Sequence, residues 1–340
     1  MGRHRYPGGR RRRRALLMAA LLGVSIGAVT LRGPAEPAPV RTPVDTEALP
    51  GLYLDPGGLA PRYLRNLQRS GRHAEAAVIR RIADQPAAIW FTDARAGFAD
   101  RARAVVTAAN RSGRLPVLAL YFIPGRDCRG YSAGGARTAQ AYRNWISSIA
   151  GALRGQRALV VLEPDAVAHA VRGCLSPKAA ADRLALLGQA VDTLRAHPGV
   201  AVYLDAGHPG WHTPARVAPA LRRAGVTRAR GFALNVANFE TTTANLRYGT
   251  ELSRLLAGRH FVIDTSRNGS GPARHAKGDR RWCNPPGRRL GPVPTMRTGH
   301  RLADAYLWVK RPGESDGACG RGAPPAGEWY PGYARALTGS

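Results

Sequence analysis

The chain has 340 residues, 44% of them hydrophobic, and a formal net charge of +29 that comes almost wholly from arginine. The apolar fraction is ample for a large core, and α/β barrels of this length are routinely single domains. Beyond residue 14 the arginines are scattered, without a basic stripe interleaved with aromatics, so a solvated basic surface is expected and a nucleic-acid partner is not.

Arg10 to Arg14 followed by the apolar run Ala15–Leu31 reads as an export signal, with an uncleaved membrane anchor as the second reading. Residues 32–50 are proline-rich and polar, the composition of an extended tether. Residues 1–31 are thus assigned as signal peptide or anchor, 32–50 as linker and 51–340 as one folded domain. The body is expected to act as a monomer outside the cell, touching the membrane only if the leader is retained.

From residue 50 onward strands and helices alternate. Predicted strands are 86–91, 116–122, 157–163, 200–205, 231–236, 260–265 and 303–309; helical patterns lie at 97–112, 137–154, 177–196, 214–224 and 242–258. Seven strands separated by helices predict a parallel sheet, either open and doubly wound or closed as a barrel. The third strand is the most informative. Ala158 to Leu162 is an unbroken apolar run, as in a strand covered on both faces. Pro164 cannot donate to a ladder and stops it at Glu163. Asp165 then stands among Val161, Leu162, Ala166 and Val167, where poor hydration raises a carboxyl pKa and suits a general acid. A helix cap is the alternative role.

Other strands end in the same way. Trp90 and Asp93 follow the first, Tyr121, Arg126 and Asp127 the second, and Glu163 and Asp165 the third. Asp205 and His208 follow the fourth, Asn235 and Asn238 the fifth, Asp264 and Arg267 the sixth, and Lys310, Glu314 and Asp316 the seventh. In a parallel barrel those ends share one rim. Four cysteines in an exported chain suggest two disulfides; three pairings are open, and the sequential one, Cys128 with Cys174 and Cys283 with Cys319, is expected to stabilise by about 4 kcal/mol per bridge. The absence of CxxC spacing argues against structural zinc. Rim carboxylates together with Trp90, Trp211 and Trp282 suit a sugar site, in which aromatic faces stack on pyranose rings and paired acids hydrolyse the glycosidic bond. Trp145 and Trp308 are expected in the core.

The ordered motifs Tyr121-Phe-Ile-Pro-Gly-Arg-Asp-Cys128, Leu162-Glu-Pro-Asp165, Tyr203-Leu-Asp-Ala-Gly-His-Pro-Gly-Trp211, Asn235-Val-Ala-Asn238, Asp264-Thr-Ser-Arg-Asn-Gly269, Trp282-Cys-Asn284 and Trp308-Val-Lys-Arg-Pro-Gly-Glu-Ser-Asp-Gly317 resemble glycoside hydrolase family 6. The resemblance implies a distorted seven-stranded parallel (β/α) barrel, inverting hydrolysis of β-1,4-glucan and no cofactor. It implies Asp165 as general acid, Asp127 as the aspartate that raises its pKa, Asp316 as candidate base and Tyr121 beside the cleaved sugar. Lys310 and Glu314 match sugar-binding positions, as do Ser132, His208 and Asn238, with Trp90, Trp211 and Trp282 as stacking platforms. Asp205 and Arg267 match positions supporting the acid network; the alternative for them is a structural salt bridge. Short segments after His208 and between Cys283 and Cys319 resemble the open-cleft endoglucanases. Arg311 and Ser315 depart from the usual pattern. The alternatives are a non-catalytic carbohydrate-binding or cell-envelope-binding protein on the same barrel, and a surface protein binding anionic polymers through its charge.

Overall fold

A computed structural model describes residues 51–320 and 322–339. The expected leader and tether, 1–50, lie outside the described residues. Seven short strands pair in parallel and in sequence order: β1 Ile89–Phe91, β2 Val117–Leu120, β3 Ala158–Leu162, β4 Val200–Asp205, β5 Gly231–Leu234, β6 His260–Asp264 and β7 Ala303–Leu307. Parallel neighbours need a crossover; α-helices supply those from β1 to β6, and the β6–β7 connection carries a short 3-10 turn, Gly278–Arg281, instead. The helices are α1 Leu59–Arg69, α2 His73–Ala83, α3 Phe98–Arg111, α4 Ala139–Ala152, α5 Ala166–Arg172, α6 Pro177–Arg195, α7 Pro214–Arg223, α8 Thr242–Leu255 and α9 Pro331–Thr338. Among the described residues, no helix is long and apolar enough to cross a membrane.

The period-two alternation of a strand divides the core into two layers. Leu118, Leu120, Val160, Leu162, Val202 and Leu204 face outward and pack with helix residues such as Ile149, Leu187 and Leu221. Val117, Ala119, Leu159, Val161, Ala201, Tyr203 and Val262 fill the interior. Because both faces are covered, the strands read as continuous apolar runs. A third cluster joins Leu67 of α1, Ile79 and Ile82 of α2, Ala334 of α9 and Trp308. Trp145 and Trp308 are both core residues, as expected.

Closure is incomplete, which makes the barrel a distorted one. β1 and β7 do not pair as strands; the Ala88 N–H donates to the Trp308 carbonyl (2.9 Å), and the Trp90 indole N–H to the Val309 carbonyl (2.8 Å). The sheet is curled rather than open and doubly wound. β1 begins three residues later than predicted, at Ile89, and α1, α2, α5 and α9 are additions to the predicted set.

Inside the barrel, Asp304 of β7 accepts hydrogen bonds from the Tyr203 hydroxyl (2.6 Å) and from Arg230 (2.9 and 3.1 Å), and pairs with His260 Nδ1 (2.7 Å). Burial alone would raise its pKa, but Arg230 and Tyr203 outweigh it and hold the carboxyl below its ordinary range. Asp304→Ala leaves Arg230 and Tyr203 unsatisfied, and an expected loss of about 3–5 kcal/mol should appear as a lowered Tm. A depressed carboxyl contributes above its unfolded pKa, so this difference should shrink as the pH falls below about 4.

Candidate active site

The site starts where β3 stops. Pro164 ends the ladder, and Glu163 and Asp165 on either side take positive φ angles of 50° and 66°. That turn sends the two carboxyls to different places. Glu163 goes inward, fully buried, and accepts the Phe122 N–H (3.0 and 3.1 Å) and the Ile123 N–H (3.0 Å) just beyond β2. Burial pushes its carboxyl up to about 7 against those bonds. Asp165 stands at the rim, partly exposed, and does not cap α5 with its side chain. Its backbone N–H donates to Asp205 Oδ2 (2.8 Å).

Desolvation pushes the Asp165 carboxyl well above the ordinary aspartate range, and the negative charges of Asp205 and Asp127 add to it. Asp127 Oδ2 accepts both the Ser132 N–H (2.7 Å) and the Ser132 hydroxyl (3.0 Å). Tyr121 is buried, edge-on to Trp90 at 5.6 Å, with the Arg126 guanidinium 4.8 Å from its ring centroid. Its hydroxyl pKa is raised by burial, then by Asp165 and Asp127, which places all three groups within electrostatic reach. Asp205 is pushed up to about 7, chiefly by burial, and its Oδ1 has no hydrogen-bond partner.

A second group lies beyond the ends of β6 and β7. Asp316 Oδ2 accepts Arg267 (2.7 Å) and the Asn284 N–H (2.9 Å), while Oδ1 pairs with the Lys310 ammonium (3.2 Å). Burial favours its neutral form, yet Arg267 and Lys310 overcome this and hold Asp316 below the usual aspartate range. It is therefore a stable anion. Asp264 accepts the N–H groups of Ala237 (2.9 Å), Ser266 (2.9 Å) and Lys310 (2.8 Å), fixing the three loops. Asp205 and Arg267 do not form a mutual salt bridge: Asp205 takes backbone donors and Arg267 takes Asp316.

The remaining residues fall into distinct settings. Trp282, exposed, tilts against exposed Tyr131 at 5.8 Å, so the loop after β2 meets the loop after β6. A Cβ on Gly317, at φ 151°, would stand 2.5 Å from the Tyr131 side chain, so this approach requires glycine beside Asp316. Trp211 lies among His169 (5.1 Å), His208 (5.6 Å) and His212 (5.8 Å). Asn238 stands next to Ala237, whose carbonyl accepts Arg267, and its own Oδ1 accepts the Phe239 N–H. Glu314 is buried, pairs with Arg311 (2.5 Å) and lines a small cavity with Leu54, Pro61, Ile82 and Trp329. Sequence reasoning noted Asn284 only within its motif and passed over Arg183 and His169. A charged residue inside the buried stripe of α6 was the one available sign of Arg183.

Both expected disulfides, Cys128–Cys174 and Cys283–Cys319, are formed. Ligand atoms of Cys128, Cys174 and His169 lie within 4.8 Å of one another, but the sulfurs are bonded to each other and are not free thiolates. His169 and His208 are depressed to about 4, chiefly by burial. A depressed histidine takes up its proton more readily when unfolded, so its contribution weakens as the pH falls from 6.5 to 4; the raised Glu163 and Asp205 act oppositely. Expected of the double variant His169→Gln/His208→Gln is a stability that rises relative to the parent as the pH is lowered through that window, read by thermal melts at pH 7 and pH 4.5.

Comparison with known proteins bears on this arrangement. The profile of the family described as Glycosyl hydrolases family 6 matches residues 52–340. Endoglucanase 1 of Streptomyces halstedii is 41% identical over 323 residues, spanning 93% of this chain and 95% of that protein. Endoglucanase A of Cellulomonas fimi is 38% identical over 286 residues, 82% of this chain and 59% of the relative. The solved endoglucanase Cel6 from Mycobacterium tuberculosis, in complex with methyl-cellobiosyl-4-deoxy-4-thio-β-D-cellobioside, aligns with a TM-score of 0.79 at 45% identity. That alignment covers 84% of this chain and 96% of the other.

Proposed function

The chain belongs to the glycosyl hydrolases of family 6, and from that premise we propose how its rim residues hydrolyse a β-1,4-glucan. The protein is an endo-β-1,4-glucanase. Its substrate is a β-glucan, and we assign the cleavage to the rim that carries Asp165 and Asp316. A signal or anchor in residues 1–31 would deliver the enzyme outside the cell, where it works as a monomer.

Hydrolysis needs a proton for the departing oxygen and a water at the anomeric carbon. Asp165 is the proton donor: its carboxyl remains protonated where ordinary aspartates are ionised. The observation that carries this assignment is its position, partly exposed at the strand end yet desolvated and facing Asp205 and Asp127. When Asp165 gives up its proton, its new charge sits close to Asp127, so Asp127 and Ser132 also help restore the proton afterwards. Asp316 supplies the opposite requirement. Held ionised by Arg267 and Lys310, it offsets positive charge developing at the sugar ring and orders attacking water by accepting its hydrogen bond. The same cations make it a weak proton acceptor, which favours relay of the water's proton onward over direct capture. Trp90, Trp211 and Trp282 provide apolar faces for the sugar rings, and Lys310, Asn238 and His208 polar contacts around them.

Inversion requires room for a water between the two carboxyls, a separation of about 6.5–9.5 Å, and we assign Asp165 and Asp316 to that arrangement. Proton NMR of freshly cleaved cellopentaose should show the α-anomer forming first. Initial release of the β-anomer would reject inversion, and no reducing ends from carboxymethylcellulose or barley β-glucan would reject hydrolysis in favour of simple carbohydrate binding.

A further inference from the structure

The loop that carries Asp127 holds a conformation it would not adopt unaided. Asp127, Cys128 and Arg129 have consecutive positive φ angles of 58°, 42° and 74°. Such backbone persists only where surrounding groups over-determine it. Little of that restraint is apolar, because the segment from Pro124 to Gly130 is mostly small or charged.

Besides the Cys128–Cys174 disulfide, two buried side chains, Glu163 and Arg183, supply it from outside the loop. Glu163, from the end of β3, accepts the Phe122 and Ile123 N–H groups that the β2–β3 ladder leaves behind. Arg183 comes from the second turn of α6, nearly 60 residues along the chain; its Nη2 donates to the carbonyls of Pro124 (2.9 Å) and Gly125 (2.8 Å). Four successive residues are thus held by backbone groups alone. Arg183 is only 5% exposed, Glu163 is 0% exposed, and the two charges attract each other. Burying an arginine in the outer helical layer is costly, and its Nη1 lacks a hydrogen-bond partner. An apolar side chain would satisfy packing there. What it would not do is bind two carbonyls of the loop.

We propose that Glu163 and Arg183 are positioning residues that clamp Phe122–Gly125 and thereby set the Asp127 carboxylate against Asp165. The proposal rests on Asp165 as proton donor. Asp165 faces Asp205 from β4, and Asp127 and Tyr121 from the segment after β2; Asp127 is the charge among them that the clamped loop delivers. Glu163 faces Tyr142 of α4 together with Arg126 and Arg183. Loosening the clamp moves Asp127 away, and Asp165 then loses its proton at lower pH.

The test is the pH profile of kcat and kcat/KM on a soluble β-glucan for Arg183→Met, Arg183→Lys, Glu163→Gln and Asp127→Asn, with circular dichroism to establish the folded fraction. Arg183→Met and Glu163→Gln should lower kcat by roughly 10- to 100-fold, the scale of an ångström-sized misplacement, with KM changed less than about twofold. Their alkaline limb should move to lower pH, in the direction given by Asp127→Asn. Arg183→Lys, retaining a donor, should restore part of both effects even if Arg183→Met fails to fold. An unmoved limb in folded clamp variants, alongside a shifted limb in Asp127→Asn, overturns the clamp alone. An unmoved limb in Asp127→Asn removes the Asp127–Asp165 interaction on which the clamp acts. Activity that falls only in step with Tm makes both residues structural and overturns the proposal.

Discussion

Asp165→Ala should lower kcat on barley β-glucan by roughly 10²- to 10⁴-fold, the range supplied by a positioned general acid. KM should change little, because the lost proton transfer belongs to the transition state. The loss should depend on the leaving group. A 2,4-dinitrophenyl cellobioside departs as a stable phenolate and needs little protonation, so the variant should retain far more of its activity on it than on the polysaccharide. Position 165 has φ 66°, a conformation that asparagine tolerates better than alanine, so Asp165→Asn separates chemical loss from backbone strain. The Asp165 N–H to Asp205 bond is a backbone donor and survives either change. Equal losses on both substrates would sink the proton-donor role, since leaving-group protonation would then not be what the carboxyl contributes. In the parent enzyme kcat/KM should fall as the pH rises through the elevated Asp165 pKa, while the acid limb should lie below the ordinary aspartate range because Asp316 is held ionised.

Arg267→Ala should have a large effect on folding and on activity together. Arg267 is fully buried; it donates to Asp316 and to the Ala237 carbonyl, and its guanidinium carbon lies 4.4 Å from the Phe239 ring centroid. Its removal leaves Asp316 with Lys310 as its remaining cationic partner and withdraws a donor that ties the loop after β5 to the site. Breaking a buried pair from one side costs about 3–5 kcal/mol. For a domain of this size that amounts to a Tm lowered by on the order of 10 °C. Activity should fall further than stability, because the loop carrying Asp316 loses its anchor. The double variant Arg267→Leu/Asp316→Leu should recover much of the Tm and none of the activity. Unchanged melting in Arg267→Ala would mean that water replaces the guanidinium and that the pair does not hold the site together.

Much of the architecture was written in short stretches of chain. Ala158 to Leu162, stopped by Pro164, predicted β3 to within one residue at each end. The core of each predicted helix was also legible: Pro177 at the start of α6 and the stripe of Leu184, Leu187, Val191 and Leu194 mark its buried face. α1 and α2 carried weaker signals, since their apolar faces are narrow and find their partners in Trp308 and α9 near the far end of the chain. Strand-end polar residues pointed to one rim, but not to their division of labour. Glu163 and Asp165 are two residues apart with similar chemistry, and the reversal of direction at Pro164 makes one a buried bolt and the other a partly exposed acid at the rim.

Sequence alone determined the alternation of strands and helices, the apolar runs that both layers of the core bury, the even set of cysteines and the polar strand ends. These depend on neighbours within a few residues, where steric and hydrophobic periodicity act directly. Tertiary structure decided what each charged group becomes. Asp316 is held below the usual aspartate range because Arg267, 49 residues away, and Lys310 converge on it; the Asp165 carboxyl is raised because burial desolvates it and because Asp205, 40 residues on, and Asp127 are folded against it. Ionisation depends on distance and dielectric, and both are established only when the curled sheet draws its strand ends together and excludes water.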